Sequence, residues 1–163
     1  MSATVEVKLP NVLEILGQVL QRVPREHQPL LIASLERMAA ERYRGWASES
    51  AEGNRRSLLL ACADREEEIA RRVERLYPEA AAIQRRLITE NPALRDLTHS
   101  IFSGRPLEQQ LAIQAQGERL GAATWRSFAE REENAATRQT LLGCASLEEE
   151  SARALESILS GHG

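Results

Sequence analysis

Hydrophobic residues recur every three to four positions through most of the chain, which is the spacing of amphipathic helices. Over residues 11–23 this pattern predicts a short helix that Pro24 ends. Four longer helices are predicted over residues 29–52, 54–76, 106–131 and 134–159. The connection 78–105 is predicted to hold two shorter helices, one over 80–90 and one that ends near Phe102. The fold class is therefore predicted to be all-α.

The ends of the helices carry their own signals. Gly53 is predicted to end the first long helix in a left-handed conformation, and Asn134 is predicted to cap the last one. Residues 1–9 are predicted to be strand-like or frayed, and the tail 161–163 to be disordered.

The long helices form a repeat. Residues 36–76 align without a gap with residues 118–158, and 16 of the 41 aligned positions are identical. Such a repeat indicates a duplicated helical hairpin. The connection between the copies is long enough to run the length of a helical bundle. Residues 28–160 are therefore predicted to form an antiparallel four-helix bundle, with residues 1–27 as an N-terminal extension that carries the short amphipathic helix.

Each helix of the repeat has a glutamate in the middle of its apolar stripe. These residues are Glu36, Glu66, Glu118 and Glu148. Within each copy the two glutamates lie on opposite sides of the hairpin turn, about 22 Å from it at about 1.5 Å per residue. All four are therefore predicted to meet at one level of the core. Buried carboxylates are costly unless their charge is balanced.

Two divalent cations would balance four carboxylates, and oxygen ligands suit iron or manganese.

The composition and charge of the chain also bear on its partners and its location. A net charge of -3 argues against a nucleic-acid partner. The chain lacks the long apolar run of a membrane span, and its first residues lack the pattern of a signal peptide, so a cytoplasmic protein is expected. Cys62 and Cys144 occupy equivalent positions and are predicted to be buried free thiols.

The residues around these glutamates resemble the ferritin-like superfamily, and within it the rubrerythrin-like di-iron carboxylate proteins. The matching segments are ERMAAERYRGWA (36–47), ADREEEIARR (63–72), GERLGAATWRSFA (117–129) and LEEESAR (147–153). The resemblance covers about residues 28–159. It implies a ferritin-like bundle in which Glu36, Glu66, Glu118 and Glu148 are the metal ligands.

Three further residues are placed around these ligands. Tyr43 and Trp125 are equivalent in the repeat and are expected in the core, where Tyr43 could donate a hydrogen bond to Glu36 or Glu66. Ser151 stands where the family has a ligating histidine, and it is at best a weak oxygen donor. Ile69 stands at the other histidine position. His27, His99 and His162 are not expected at the central level of the bundle.

Three classes of function remain open. The first is a ferritin-like metal-binding protein with an all-carboxylate centre that reacts with oxygen or peroxide. The second is a metal-free relative that serves as a binding or scaffold module. The third is an enzyme or carrier that uses the buried carboxyls as acid and base.

Two further interpretations concern the surface. The repeated arginines, Arg37/Arg119 and Arg44/Arg126, are interpreted as solvent-exposed residues that cover the helix flanks. The apolar segment 12–23 predicts a homodimer.

Overall fold

The computed structural model describes residues 9–51 and 53–161, and these residues are all-α, as predicted. The helices are α1 (Val12–Leu20), α2 (Gln28–Glu49), α3 (Gly53–Glu74), α4 (Ala80–Glu90), α5 (Ala93–Phe102), α6 (Leu107–Glu130) and α7 (Ala135–Leu159). One turn of 3-10 helix, Arg25–His27, precedes α2. The predictions for residues 1–8 and for the tail at 162–163 concern positions outside the described ranges. None of the described helices is both long and apolar enough to cross a membrane.

The helix ends follow local hydrogen bonding. The Asn134 side chain accepts a hydrogen bond from the backbone N–H of Thr137 at 2.9 Å, so Asn134 caps α7 as predicted. The prediction for Gly53 is wrong, because Gly53 is the first residue of α3. The extended conformation of Ser50 ends α2 instead. The Arg56 side chain then donates to the carbonyl oxygens of Ala47 and Ser50, at 3.3 and 2.8 Å, which satisfies the end of the helix without a left-handed glycine.

The four long helices α2, α3, α6 and α7 run antiparallel to their neighbours. In the first half of α2, Arg37 pairs with Glu74 at the end of α3. Arg119 of α6 pairs in the same way with Glu156 of α7. α3 also packs along α7. Because α3 and α6 then point in the same direction, the chain must return along the helices, and α4 and α5 form that return.

Two apolar clusters fill the space between the long helices. One contains Ile32, Ile69, Val73, Trp125 and Leu141. The other contains Tyr43, Trp46, Leu59, Leu111 and Leu155. On each long helix the predicted inward glutamate falls between the residues of the two clusters. The carboxyl groups therefore lie in a layer with apolar side chains on both sides, and Cys62 and Cys144 are buried free thiols as predicted.

Candidate metal centre

Each of the four long helices contributes one buried glutamate. Glu36 is 8% exposed, and Glu66, Glu118 and Glu148 are at most 1% exposed. Carboxylate oxygens of Glu36, Glu66 and Glu148 lie within 4.8 Å of one another. Glu118 lies beside this group of three, along the same cavity wall as Glu36 and Glu148. The structure thus brings three of the four predicted ligands together and places the fourth at their edge.

Glu118 is held by two donors. The Tyr43 hydroxyl donates to Glu118 Oε1 at 2.5 Å, and Gln114 Nε2 donates to the same oxygen at 2.8 Å. The sequence places Tyr43 in the core and leaves Glu36 or Glu66 open as its partner, but its partner is Glu118. Side chains on a helix lean toward its N-terminus, so Tyr43 leans back toward the glutamate level. There it meets α6, which lies across the interface from α2.

Glu148 is held by the indole of Trp125, whose Nε1 donates to Glu148 Oε1 at 2.9 Å. Trp125 and Tyr43 occupy equivalent positions of the repeat, and both donate to a buried carboxylate. The two bonds are not related by the repeat, because the equivalent of the Tyr43 bond would run from Trp125 to Glu36. The polar contacts of the site are therefore asymmetric even though its glutamates follow the repeat.

The equivalent positions three residues after Glu66 and Glu148, Ile69 and Ser151, differ from each other. Ser151 Oγ donates to Glu66 Oε1 at 3.5 Å and accepts from Arg65 Nε at 3.0 Å. Ile69 is fully buried in an apolar cluster and offers no ligand atom. The histidines were not expected at the centre. His27 lies in the 3-10 turn, where its ring contacts Arg86, and His162 is outside the described residues. Within the described chain, the atoms gathered at the centre are carboxylate oxygens.

Burial dominates the electrostatics of the centre. Desolvation, followed by the charges of Glu118 and Glu36, raises the pKa of Glu66 well above its ordinary value. Desolvation likewise raises the pKa of Glu148 well above the ordinary value, with Glu36 and Glu66 adding to the effect. Desolvation also raises the pKa of Glu36, although hydrogen bonds from Glu66 and Glu148 favour its ionised form. Burial therefore favours the protonated forms of Glu66 and Glu148 in the metal-free protein.

Two buried oxygens have no ordinary donor. Glu66 Oε2 and Glu118 Oε2 receive no hydrogen bond from an amide, hydroxyl, indole or guanidinium group of the described residues. A buried acceptor without a partner costs about 1–3 kcal/mol. A proton on a neighbouring carboxyl, an ordered water or a bound cation would satisfy these oxygens.

Two residues next to the site were missed by the sequence reasoning. Arg42 donates through Nε and Nη2 to Gln114 Oε1, at 3.3 and 3.1 Å, and its guanidinium lies 4.1 Å from the Phe102 ring centre. Burial lowers the pKa of Arg42. Gln114 precedes Glu118 by one helical turn, so the helical stripe itself carried a signal for it. Arg42 has no such signal, because nothing in the stripe shows that α5 packs over it.

The repeated arginines lie on the outside, as interpreted. Arg37 and Arg119 form ion pairs with Glu74 and Glu156, and Arg44 and Arg126 form ion pairs with Glu67 and Glu149. Each of the four arginine side chains is between 43% and 47% exposed. They therefore do not neutralise the buried carboxylates.

The absence of a side chain at Gly121 leaves the space that the Glu148 carboxylate occupies. A Cβ atom at Gly121 would lie 2.5 Å from Glu148 Oε1 and 2.8 Å from Glu148 Cδ. The Glu148 side chain is buried and held by Trp125, so it cannot swing into solvent to make room. The space beside Gly121 is thus filled by the carboxylate of Glu148.

The variant Gly121→Ala is therefore expected to destabilise the protein by about 1–2 kcal/mol, because a close contact in a packed core outweighs the gain in helix propensity. Gly117→Ala on the same helix is the matched control. Its Cβ would meet no atom within 4 Å, so it is expected to stabilise by up to about 1 kcal/mol. Urea unfolding of both variants measures the difference, and equal stabilities would contradict the close packing of Glu148 against Gly121.

Comparisons of the chain with protein-family models, with curated proteins and with solved structures found no match in any of the three. The function therefore has to be inferred from the geometry of the site.

Proposed function

We propose that this chain is a ferritin-like protein, an antiparallel four-helix bundle built from a duplicated hairpin, and that it binds divalent iron or manganese at its buried glutamates. The observation that carries the proposal is the group of three carboxylates from three helices, with oxygens within 4.8 Å of one another. Oxygens bound to one small divalent ion lie at most about 4.2 Å apart, twice a metal–oxygen distance of about 2.1 Å. A small inward movement of these side chains would meet that limit.

The surroundings of the carboxylates fit a metal centre. Glu66 Oε2 and Glu118 Oε2 have free acceptor capacity in a buried layer. The opposite oxygens of Glu118 and Glu148 accept hydrogen bonds from Tyr43 and Trp125, which fixes the orientation of both groups. Oxygen donors favour hard cations, and two divalent ions would balance four carboxylates. When bound, iron or manganese would supply redox chemistry toward oxygen or peroxide.

The residues of the chain would then do three things. Glu36, Glu66 and Glu148 would hold one ion, and Glu118 would extend the site to a second. The protons that Glu66 and Glu148 hold in the metal-free protein would leave as metal binds, so metal affinity would increase with pH. The apolar clusters on both sides would keep bulk water away from the centre.

Metal content tests the proposal. Protein purified without chelators is analysed for bound elements and then dialysed without oxygen against Fe(II) or Mn(II). We expect up to two ions per chain, with at least half of them lost in the Glu36→Gln variant. Glu67→Gln is the control, because Glu67 lies next to Glu66 on α3 but forms a surface pair with Arg44. No bound metal, or equal binding by both variants, would contradict the proposal and leave the metal-free binding or scaffold module.

A further inference from the structure

A cavity of about 130 Å³ lies next to the carboxylate layer, between the long helices α2 and α6 and the short helices α1 and α5. Its walls are mainly aliphatic and include Ile15, Leu16, Leu97, Ile101 and Ile113. Its inner end is formed by Glu36, Glu118 and Glu148, so the cavity leads directly to the centre. We call this space the apolar pocket.

The lining limits what the apolar pocket can hold. An apolar cavity of about 150 Å³ stays dry and binds a molecule the size of benzene. The inner end presents the carboxyl groups of Glu36, Glu118 and Glu148, which would repel an anionic head group. An anionic ligand would lose its hydration there without gaining a fixed cationic partner, because Arg42 is already engaged by Gln114 and Phe102.

The outer wall offers a way in. α1 contributes Ile15 and Leu16 to the lining, yet none of its residues is buried. Its side chains Leu16, Val19 and Leu20 pack against the core but stay partly exposed, and a helix of nine residues has little stability of its own. The apolar pocket can thus open without disturbing the long helices that carry the glutamates.

We propose that the apolar pocket binds a small uncharged organic molecule of about six carbon atoms, the size of benzene, and holds one end of it against the carboxyl groups. That this molecule is also a substrate of the centre rests on the proposed function, whereas its binding does not. The site thereby selects for a hydrocarbon body and against an anionic head group.

Binding is tested on the metal-free protein in the presence of a chelator, with hexan-1-ol, benzene and hexanoate as probes. Calorimetry and thermal unfolding should show binding and stabilisation by hexan-1-ol and benzene, with hexanoate about tenfold weaker or more. Gly117→Leu should fill the pocket, because Gly117 lines it and a Cβ there meets open space. Affinity for hexan-1-ol should fall about tenfold or more in this variant.

Gly45→Leu is the matched control. It makes the same change on the exposed face of α2, where a Cβ also meets no atom within 4 Å, and it should leave binding unchanged. Leu97→Phe fills the pocket from α5 and gives a second blocking variant should Gly117→Leu fail to unfold cooperatively.

Each outcome decides one claim. Hexan-1-ol that binds both blocked variants as well as the wild type overturns the pocket assignment, and tighter binding of hexanoate overturns the uncharged class. A protein that binds Mn(II) but none of the uncharged probes loses this inference and keeps the proposed function. A protein that binds hexan-1-ol but no metal keeps the pocket and loses the metal centre.

Discussion

Replacing both Glu66 and Glu148 by glutamine is expected to stabilise the metal-free protein at neutral pH and to abolish its stabilisation by metal. Both carboxyls are buried, and burial and neighbouring charges raise the pKa of each well above its ordinary value. Ionising them at neutral pH, or holding them protonated, costs free energy that an uncharged amide avoids. Replacing buried ionisable groups with neutral ones of similar shape is neutral or stabilises by about 1–4 kcal/mol.

The glutamine side chains also preserve the contacts. Each amide oxygen can accept the hydrogen bond that Trp125 or Ser151 donates to the carboxylate. Each amide N–H group can donate to Glu36, because oxygens of Glu36, Glu66 and Glu148 lie within 4.8 Å of one another in the unmodified protein. The gain should therefore appear as a higher urea midpoint in the presence of a chelator.

Added metal should make the wild type more stable than the variant with Glu66→Gln and Glu148→Gln. At one hundred times its dissociation constant, a ligand that binds only the folded state adds about 2.7 kcal/mol. For a chain of this length that corresponds to a rise in Tm of about 5–10 °C. The variant lacks two of the four ligands, so its Tm should not change with Mn(II).

The control for this pair is Glu67→Gln with Glu149→Gln. These residues directly follow Glu66 and Glu148 in the chain but form partly exposed ion pairs with Arg44 and Arg126. Surface pairs contribute about 0–1 kcal/mol, so stability and its response to metal should stay close to the wild type. If the buried and the surface double variants had the same stability and the same response to metal, burial of the carboxyls would not be the cause of the change in stability.

The helices were predictable because their signals are local. The apolar periodicity follows the geometry of one helix, and the Asn134 cap acts within one turn, so neither depends on the rest of the fold. Even the common level of the four glutamates followed from their equal distance from the two hairpin turns. The prediction that Gly53 ends α2 was wrong because that helix end does not depend on local signals alone. The end of α2 is fixed by the Arg56 side chain, which returns from the next helix.

The polar contacts of the site were only partly predictable for the same reason. The repeat placed Tyr43 and Trp125 near the glutamates, but it suggested equivalent partners, and the actual partners depend on which helices face each other. The inward position of Arg42 depends on Phe102 of the crossover. The apolar pocket needs α1 and α5, which lie outside the repeat, so no periodicity in the long helices could indicate it.

The second large effect concerns pH. In the folded, metal-free protein the pKa values of Glu66 and Glu148 are raised by burial, so between their unfolded and folded pKa values the folded state binds more protons than the unfolded chain. Their stabilising contribution is complete below the unfolded pKa and is lost as the pH rises through the folded pKa. Each group contributes a slope of about -1.4 kcal/mol per pH unit within that window.

The surface carboxyls change the stability of the protein with pH in the opposite direction. Arg37 lowers the pKa of Glu74 and Arg119 lowers the pKa of Glu156, so these pairs lose their contribution as the pH falls through the lowered values. Their effect is small because the pairs are partly exposed. It is confined to strongly acidic solution and does not overlap the decline toward neutral pH that the buried carboxyls cause.

Urea midpoints between about pH 5 and about pH 8 should therefore fall as the pH rises in the presence of a chelator, and the slope should flatten in the variant with Glu66→Gln and Glu148→Gln. With saturating Mn(II) the trend should reverse, because the ion replaces the protons and binds more tightly as they leave. A metal-free stability that is flat or rises over this range would show that Glu66 and Glu148 are ionised in the folded protein. Reversal by Mn(II) in the wild type, with no response in the glutamine variant, would assign the pH dependence to the same carboxylates that bind the metal.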